Sequence, residues 1–333
     1  MNLHRLFGYS QPDLSLQWFL WICLVAAFLL PSPVFAVMDI PAKTIISKDT
    51  VWQGDVLVHG DVRVEPGATL MIMPDTKVAF VKISEFGPDK LSKDKNNHFP
   101  RAEIIVRGKL IAQGLPGRPV VFTSAEEHPS LADWGAVNFI GSRDNLMEYC
   151  EFSYGHTSIH CHSAQVVVSH CTFSHNGVAI GQKNVKSLGM KCSVPVMYCV
   201  IRDNGGGVLF GGGTCPVIVH NDIRNNKFFG IFAKKSGAAS IRYNNIVNNG
   251  KGIILYAVKD ILIRDNNIAE NADYEMSLLE GQIHDIKACH NWWGVADATG
   301  IRQRIRDHAN DNSLGHIDFS DFATAPIDGA GLF

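Results

Sequence analysis

Along most of the chain, apolar and polar residues alternate in runs of about four to six positions, broken by Gly, Asn, Asp and Pro. Period-two runs of this kind predict short β-strands separated by tight turns. In the second half a longer period is laid over the alternation. Asn176, Asn204, Asn226, Asn249 and Asn271 recur at spacings of 28, 22, 23 and 22. Three residues before each stands an apolar residue (Phe173, Ile201, Ile223, Ile246, Ile268), and two before that stands Cys or Asn (Cys171, Cys199, Asn221, Asn244, Asn266). The register reaches back to Cys150 and Phe152 and forward to Asn291 and Trp293. A fixed period near 22 marks a repeat architecture. Each unit is too short to bury its own apolar face, so it must stack on its neighbours. The pattern predicts an all-β solenoid, a parallel β-helix.

Stacking gives the asparagines a physical role. Equivalent turn residues of successive rungs lie about 4.8 Å apart, so a buried amide can donate to and accept from the next rung. Asn also tolerates the left-handed backbone of a sharp bend. The five Asn are therefore expected to be structural. Cys150, Cys171 and Cys199 take the position held later by Asn221, Asn244 and Asn266, and are expected to pack as small buried hydrophobes.

Upstream of the Asn register, Gly54-Asp55-Val56 to Phe80 and Ala102 to Ser124 read as strands broken by Gly-Asp and Pro-Gly turns. Residues 84–101 are charged and aperiodic, an excursion from one rung. At the other end Asn291-Trp292-Trp293-Gly294 closes the repeats. Ile301 and Ile305 stand at helical spacing within Gly300 to Asn310, which predicts a short amphipathic helix. Open solenoid ends need a cap. The expected organisation is a leader over 1–36, the β-helix over 37–294 and a cap and tail over 295–333.

The leader is expected to be a signal peptide. His4 and Arg5 precede the apolar run Trp18–Leu30, and Val34-Phe35-Ala36 supplies small residues at the -3 and -1 positions. Retention of this segment as an anchor stays open, but the run is short for a membrane span. Export to the periplasm, the cell surface or the medium permits disulfides, and Cys192 and Cys215, near one another on adjacent rungs, are the candidate pair. With a formal charge of -2 the chain does not recruit polyanions in bulk, so nucleic acid is not an expected partner. Nor is the chain expected to be an integral membrane protein once the leader is removed.

The opening GDVLVHGDVRVEPGATLMIMPDTKVAF, the segment AEIIVRGKLIAQGLPGRPVVFTS with DWG after it, the Asn rungs and the closing NWWG resemble exported bacterial right-handed parallel β-helix proteins of the pectin-lyase-like superfamily. The resemblance spans about residues 45 to 326. It implies a right-handed coil but not a function, because lyases, hydrolases, adhesins, saccharide-binding modules and a periplasmic copper-maturation group share the fold. Catalytic members imply clustered carboxylates, with calcium for lyases. The outward carboxylates near the ladder are Asp203 and Asp222, beside Arg202 and Arg224, and an ion-pair patch explains them as well as a catalytic site does.

The opposite strand predicts an outward row of Leu209, Phe232 and Ile254, with Lys234 and Tyr256 beside it. Either a loop from the longer unit, Lys183 to Ser193, covers this row, or Phe232, Lys234 and Tyr256 form a platform for sugar rings. His160 and His162 point the same way on one strand and, with His156 or His175, are the candidate ligands for a transition metal. No other cofactor is implied. The functional expectation is a non-catalytic scaffold binding saccharide or another cell-envelope component. A polysaccharide lyase or glycoside hydrolase is the alternative, and a periplasmic metal-binding protein the third reading.

Overall fold

The computed structural model describes residues 36–235 and 239–332; the leader residues 1–35 lie outside them. From Val37 onward the chain coils through three parallel sheets of 10, 11 and 9 strands. One coil shows the plan. A strand of the third sheet, Val217–Val219, leads to Asp222–Arg224 in the first sheet and then to Phe229–Lys234 in the second. The next coil repeats it in register: Ile218 lies beside Ile241, Ile223 beside Ile246, and Ile231 beside Ile253. These isoleucines point inward and are fully buried. Identical residues stacked on neighbouring rungs form the core, as in the rings Phe122, Phe152 and Phe173, whose centroids are 4.8 Å apart.

From Tyr149 onward each coil turns two sharp corners with one left-handed residue at each. In the Val217 coil these are His220 (φ 54°) and Asn225 (φ 55°); in the next they are Tyr243 and Asn248. The residue that follows is the buried Asn. The left-handed position is thus the one before the ladder, not the ladder Asn itself as the sequence suggested. Strain at such a residue is offset by the amide after it. Asn226 donates from Nδ2 to the Ile201 carbonyl (3.0 Å) and to Asn249 Oδ1 (2.9 Å), and its Oδ1 accepts from the backbone N–H of Asn204 (3.1 Å). The ladder from Asn176 to Asn271 ends on the buried Glu275, which accepts from Asn271 and pairs with Arg304 at 2.9 Å.

A second ladder fills the other corner. Asn221, Asn244, Asn266 and Asn291 each bond to the next at 2.9 Å. Cys199 joins it by donating its backbone N–H to Asn221 Oδ1. The thiols Cys150, Cys171 and Cys199 do more than fill space: Cys171 Sγ lies 3.4 Å from the Met147 carbonyl and 3.2 Å from that of Ser169. Asn221 Nδ2 makes the corresponding pair of bonds to Val196 and Val219. Each thiol therefore takes the donor place of an amide. On the outside of this corner Tyr149, His170, Tyr198, His220 and Tyr243 form one stack, with successive centroids 4.7 to 5.2 Å apart.

The proposed Cys192–Cys215 disulfide is not present; both are free thiols. The pairing of Val196 with Ile218 offsets the two cysteines by one residue. A one-residue offset puts side chains on opposite faces of a strand. Cys192 is accordingly buried and Cys215 exposed.

At the C-terminal end the helix is Ala298–Gln303, capped by Asp297, which accepts from the Gly300 N–H at 2.8 Å. It stops earlier than its spacing predicted, because Ile305 enters a strand, Ile305–Arg306, that closes the second sheet. Trp293 is buried against Phe319. No helix among the described residues is long and apolar enough to cross a membrane.

Candidate functional site

The charged excursion lies between strands Lys77–Phe80 and Ile104–Val106, and a buried ion triad fixes it to the second sheet. Lys90 Nζ is 2.7 Å from both Asp61 Oδ1 and Glu103 Oε1, and all three side chains are 0% exposed. Lys90 also donates to the Arg101 carbonyl, and Asn138 donates to Glu103 Oε2 at 2.6 Å. Every charge-bearing atom of the triad that leaves water is thereby given a partner. Burial raises the Asp61 carboxyl above its ordinary range, against the pull of Lys90. None of the three is accessible to a substrate.

Beyond the triad, the tip of the excursion folds over the outer face of the second sheet. Asn138 Nδ2 donates to the Asn97 carbonyl (2.9 Å) and Lys183 Nζ to the Asn96 carbonyl (2.8 Å). A cavity of about 260 Å³ lies beneath, lined by His98, His156, His160 and His162 together with Lys95 and Lys183. The Phe99 ring roofs it, 5.2 Å from His156 and 5.3 Å from His160. The His160 and His162 rings meet edge to face at 4.3 Å. Gly181 makes room for this: a Cβ there would sit 2.5 Å from the His160 ring. Nδ1 of both imidazoles is buried without a hydrogen-bond partner. Burial, then the nearby Lys183, pushes His162 down to about 3, and burial, with His162 and Lys183, lowers His160 as well. The pair stands neutral near pH 7.

Along the same face two open depressions continue from this cavity. One, of about 300 Å³, is floored where Gly211 and Gly212 interrupt the outward rows, and Lys183, Leu209 and Lys234 line it. The other, of about 550 Å³, is lined by Phe232, Lys234, Lys235, Tyr256, Glu280 and Arg306. Leu209, Phe232 and Tyr256 are half-buried, whereas Ile254 is only 8% exposed. The loop after Lys183 does not cover the row. It turns the other way and sets Leu188 against Gly141, and of residues 184–193 only Asn184 reaches the depressions. Phe232, Lys234 and Tyr256 therefore share one accessible groove with Arg306 and Lys235, which sequence spacing did not bring in.

The carboxylates singled out in the sequence lie elsewhere, on the first sheet or its corner. Arg202 Nη1 is 2.6 Å from Asp203 Oδ2, and Arg224 Nε is 3.1 Å from Asp222 Oδ2. Burial raises the Asp222 carboxyl and Arg224 opposes the rise; no second carboxylate acts on it. A hydrolase dyad needs two coupled carboxylates across a scissile bond, and the structure does not assemble one from these residues. Among the described residues, no three His, Cys, Asp or Glu side chains are grouped so as to hold a metal ion. Of the expected third ligands, His156 lines the same cavity as the pair, while His175 is a left-handed corner residue beside Tyr154.

Three stacked parallel sheets with an internal amide ladder define the class: the chain is a parallel β-helix protein. The family described as periplasmic copper-binding protein (NosD) matches residues 126–288, just under half of the chain. No curated protein sequence matches it. Among solved structures, an exopolygalacturonase from Thermotoga maritima is similar at 11% identity, over 76% of this chain and 75% of that one, with a TM-score of 0.33.

Proposed function

We propose that this chain is an exported, non-catalytic β-helix that binds an acidic saccharide chain along the outer face of its second sheet. The observation that carries the reading is the groove from Lys183 to Arg306, where the half-buried Phe232 and Tyr256 lie among four cations, Lys183, Lys234, Lys235 and Arg306, with Glu280 the one acidic side chain on the groove lining. Planar apolar surface suits the faces of sugar rings, and the cations suit their acidic substituents. The match to a family described as periplasmic supports export, as does the apolar leader.

The family's name also raises copper. Imidazoles are suitable donors for it, and the His160–His162 pair is where they would be sought. The surroundings do not fit: among the described residues no three donors are grouped so as to hold an ion, and burial, with the positive charge of Lys183 adding to it, lowers the basicity of both rings. No metal step is derived for this chain.

Retention on an immobilised acidic polysaccharide tests the groove. Phe232→Ala with Tyr256→Ala is expected to abolish retention while the melting temperature stays within a degree or two, because half-exposed aromatics contribute little to the core. Unchanged retention would remove the groove. Release of unsaturated or reducing ends that stops in Asp222→Asn would favour the enzymatic alternative instead.

A further inference from the structure

We infer that the histidine-lined cavity beneath the 84–101 excursion is a recognition site for a single oxyanion group, a carboxylate, phosphate or sulfate carried by the ligand. Four features of the cavity point to it. No carboxylate lines it, although two ammonium groups, Lys95 and Lys183, do. Lys183 makes no ion pair among the described residues; its Nζ has a single bond, to the Asn96 carbonyl, which leaves donor capacity facing the cavity. His162 is 2% exposed, and its unpartnered Nδ1 has no role in holding the fold. A buried polar atom without a partner is destabilising, and a bound acceptor would recover that cost here. The amides of Asn96 and Asn97 complete the polar lining.

The choice of an anion over a cation follows from the charges that face the pair. On the sheet side these are Lys183 and His156; on the excursion side they are Lys95, Asp94 and His98. Asp94 is already engaged, accepting from the Asn96 N–H at 2.9 Å and from Asn97 Nδ2 at 3.0 Å. His98 Nδ1 is turned toward Glu103, 3.4 Å away in the buried triad. An entering cation would meet the ammonium groups of Lys183 and Lys95 and, among the described residues, no three donors grouped so as to hold it, whereas an oxyanion would accept from Lys183 and from an imidazole N–H. Charge-assisted bonds of this type are roughly twice as strong as neutral ones. At about 260 Å³ the cavity has room for the acidic end of one sugar residue, not for a chain. The inference rests on the groove reading for what carries the anion, and not for the anion itself.

The experiment uses the full chain with histidine side chains labelled for NMR, titrated separately with glucuronate, inorganic phosphate, sulfate and, as the uncharged control, glucose. The His160 and His162 resonances are expected to shift saturably with at least one of the three anions and not with glucose. The best anion identifies the group. In Lys183→Met, checked for an unchanged melting curve, affinity is expected to fall at least tenfold. If none of the anions moves either ring, the inference fails, even where polysaccharide retention through Phe232 and Tyr256 persists. It fails equally if zinc or copper ions shift both rings at micromolar concentration and Lys183→Met tightens that binding. Loss of retention in the aromatic double variant with the anion shifts intact would support both sites.

Discussion

Asn226→Leu is expected to lower stability by about 2 to 6 kcal/mol, from the roughly 1 to 3 kcal/mol cost of each of two buried groups left unpaired. Two groups lose the bond outright, the Ile201 carbonyl and the backbone N–H of Asn204; Asn249 Oδ1 and Asn204 Nδ2 each lose one bond but keep others, Asn249 from the residue-226 N–H and Asn204 to the Phe173 and Arg202 carbonyls. Leu cannot supply a donor or an acceptor, and its branched tip would press on amides stacked at 2.9 to 3.0 Å. Against a total stability of about 5 to 15 kcal/mol the loss is severe. In a solenoid, coupling runs through nearest neighbours, so unfolding should begin at this rung. Hydrogen exchange resolved by segment is the measurement: protection should fall first in the rungs around Asn204 and Asn249. Exchange and melting identical to the parent would contradict the ladder's role.

Lys90→Met should be of comparable size. It strands two carboxylates, Asp61 and Glu103, both wholly buried. Removing one member of a buried ion group costs about 3 to 5 kcal/mol because the remaining charge is uncompensated. The expected product is a chain whose excursion has come off the sheet, so limited proteolysis should cut within 84–101 while the rungs from Cys150 onward stay intact. Adding Asp61→Asn and Glu103→Gln to Lys90→Met should restore most of the lost stability, since the three neutral residues leave no buried charge. Resistance of the single variant to proteases, with an unaltered melt, would mean that the triad does not hold the excursion.

How far the sequence was legible depended on distance along the chain. The Asn period is a direct image of the coil, because a rung occupies about 22 residues and its ladder position can hold little else. The left-handed corner residues were not legible as such: His220, Asn225, Tyr243 and Asn248 have no one side-chain type common to all, and their common feature is backbone geometry that only the following Asn betrays. The Tyr–His stack follows from the same corners and was likewise invisible as a composition signal. Lys90 looked like one more lysine in a charged loop. Its partners stand 29 residues before it and 13 after it, and nothing local marks a lysine destined for full burial. The expected disulfide already carried a one-residue offset between Cys192 and Cys215, counted from Val196 and Ile218, and that offset decides inside against outside. In the groove, the outward row was readable from alternation, whereas the direction taken by the 184–193 loop, and so whether Phe232 is covered, depended on tertiary packing.

An acidic saccharide lying along the outer face of the second sheet would cover Phe232 and Tyr256. Hydroxyl-radical footprinting of the whole chain, with and without saturating acidic polysaccharide, reads that face directly. Phe232 and Tyr256 should lose labelling when ligand is present, while Met71 and Val217, exposed on the third sheet, should label as before. Protection of Met71 and Val217 with Phe232 and Tyr256 unchanged would put the ligand on another face and contradict the account.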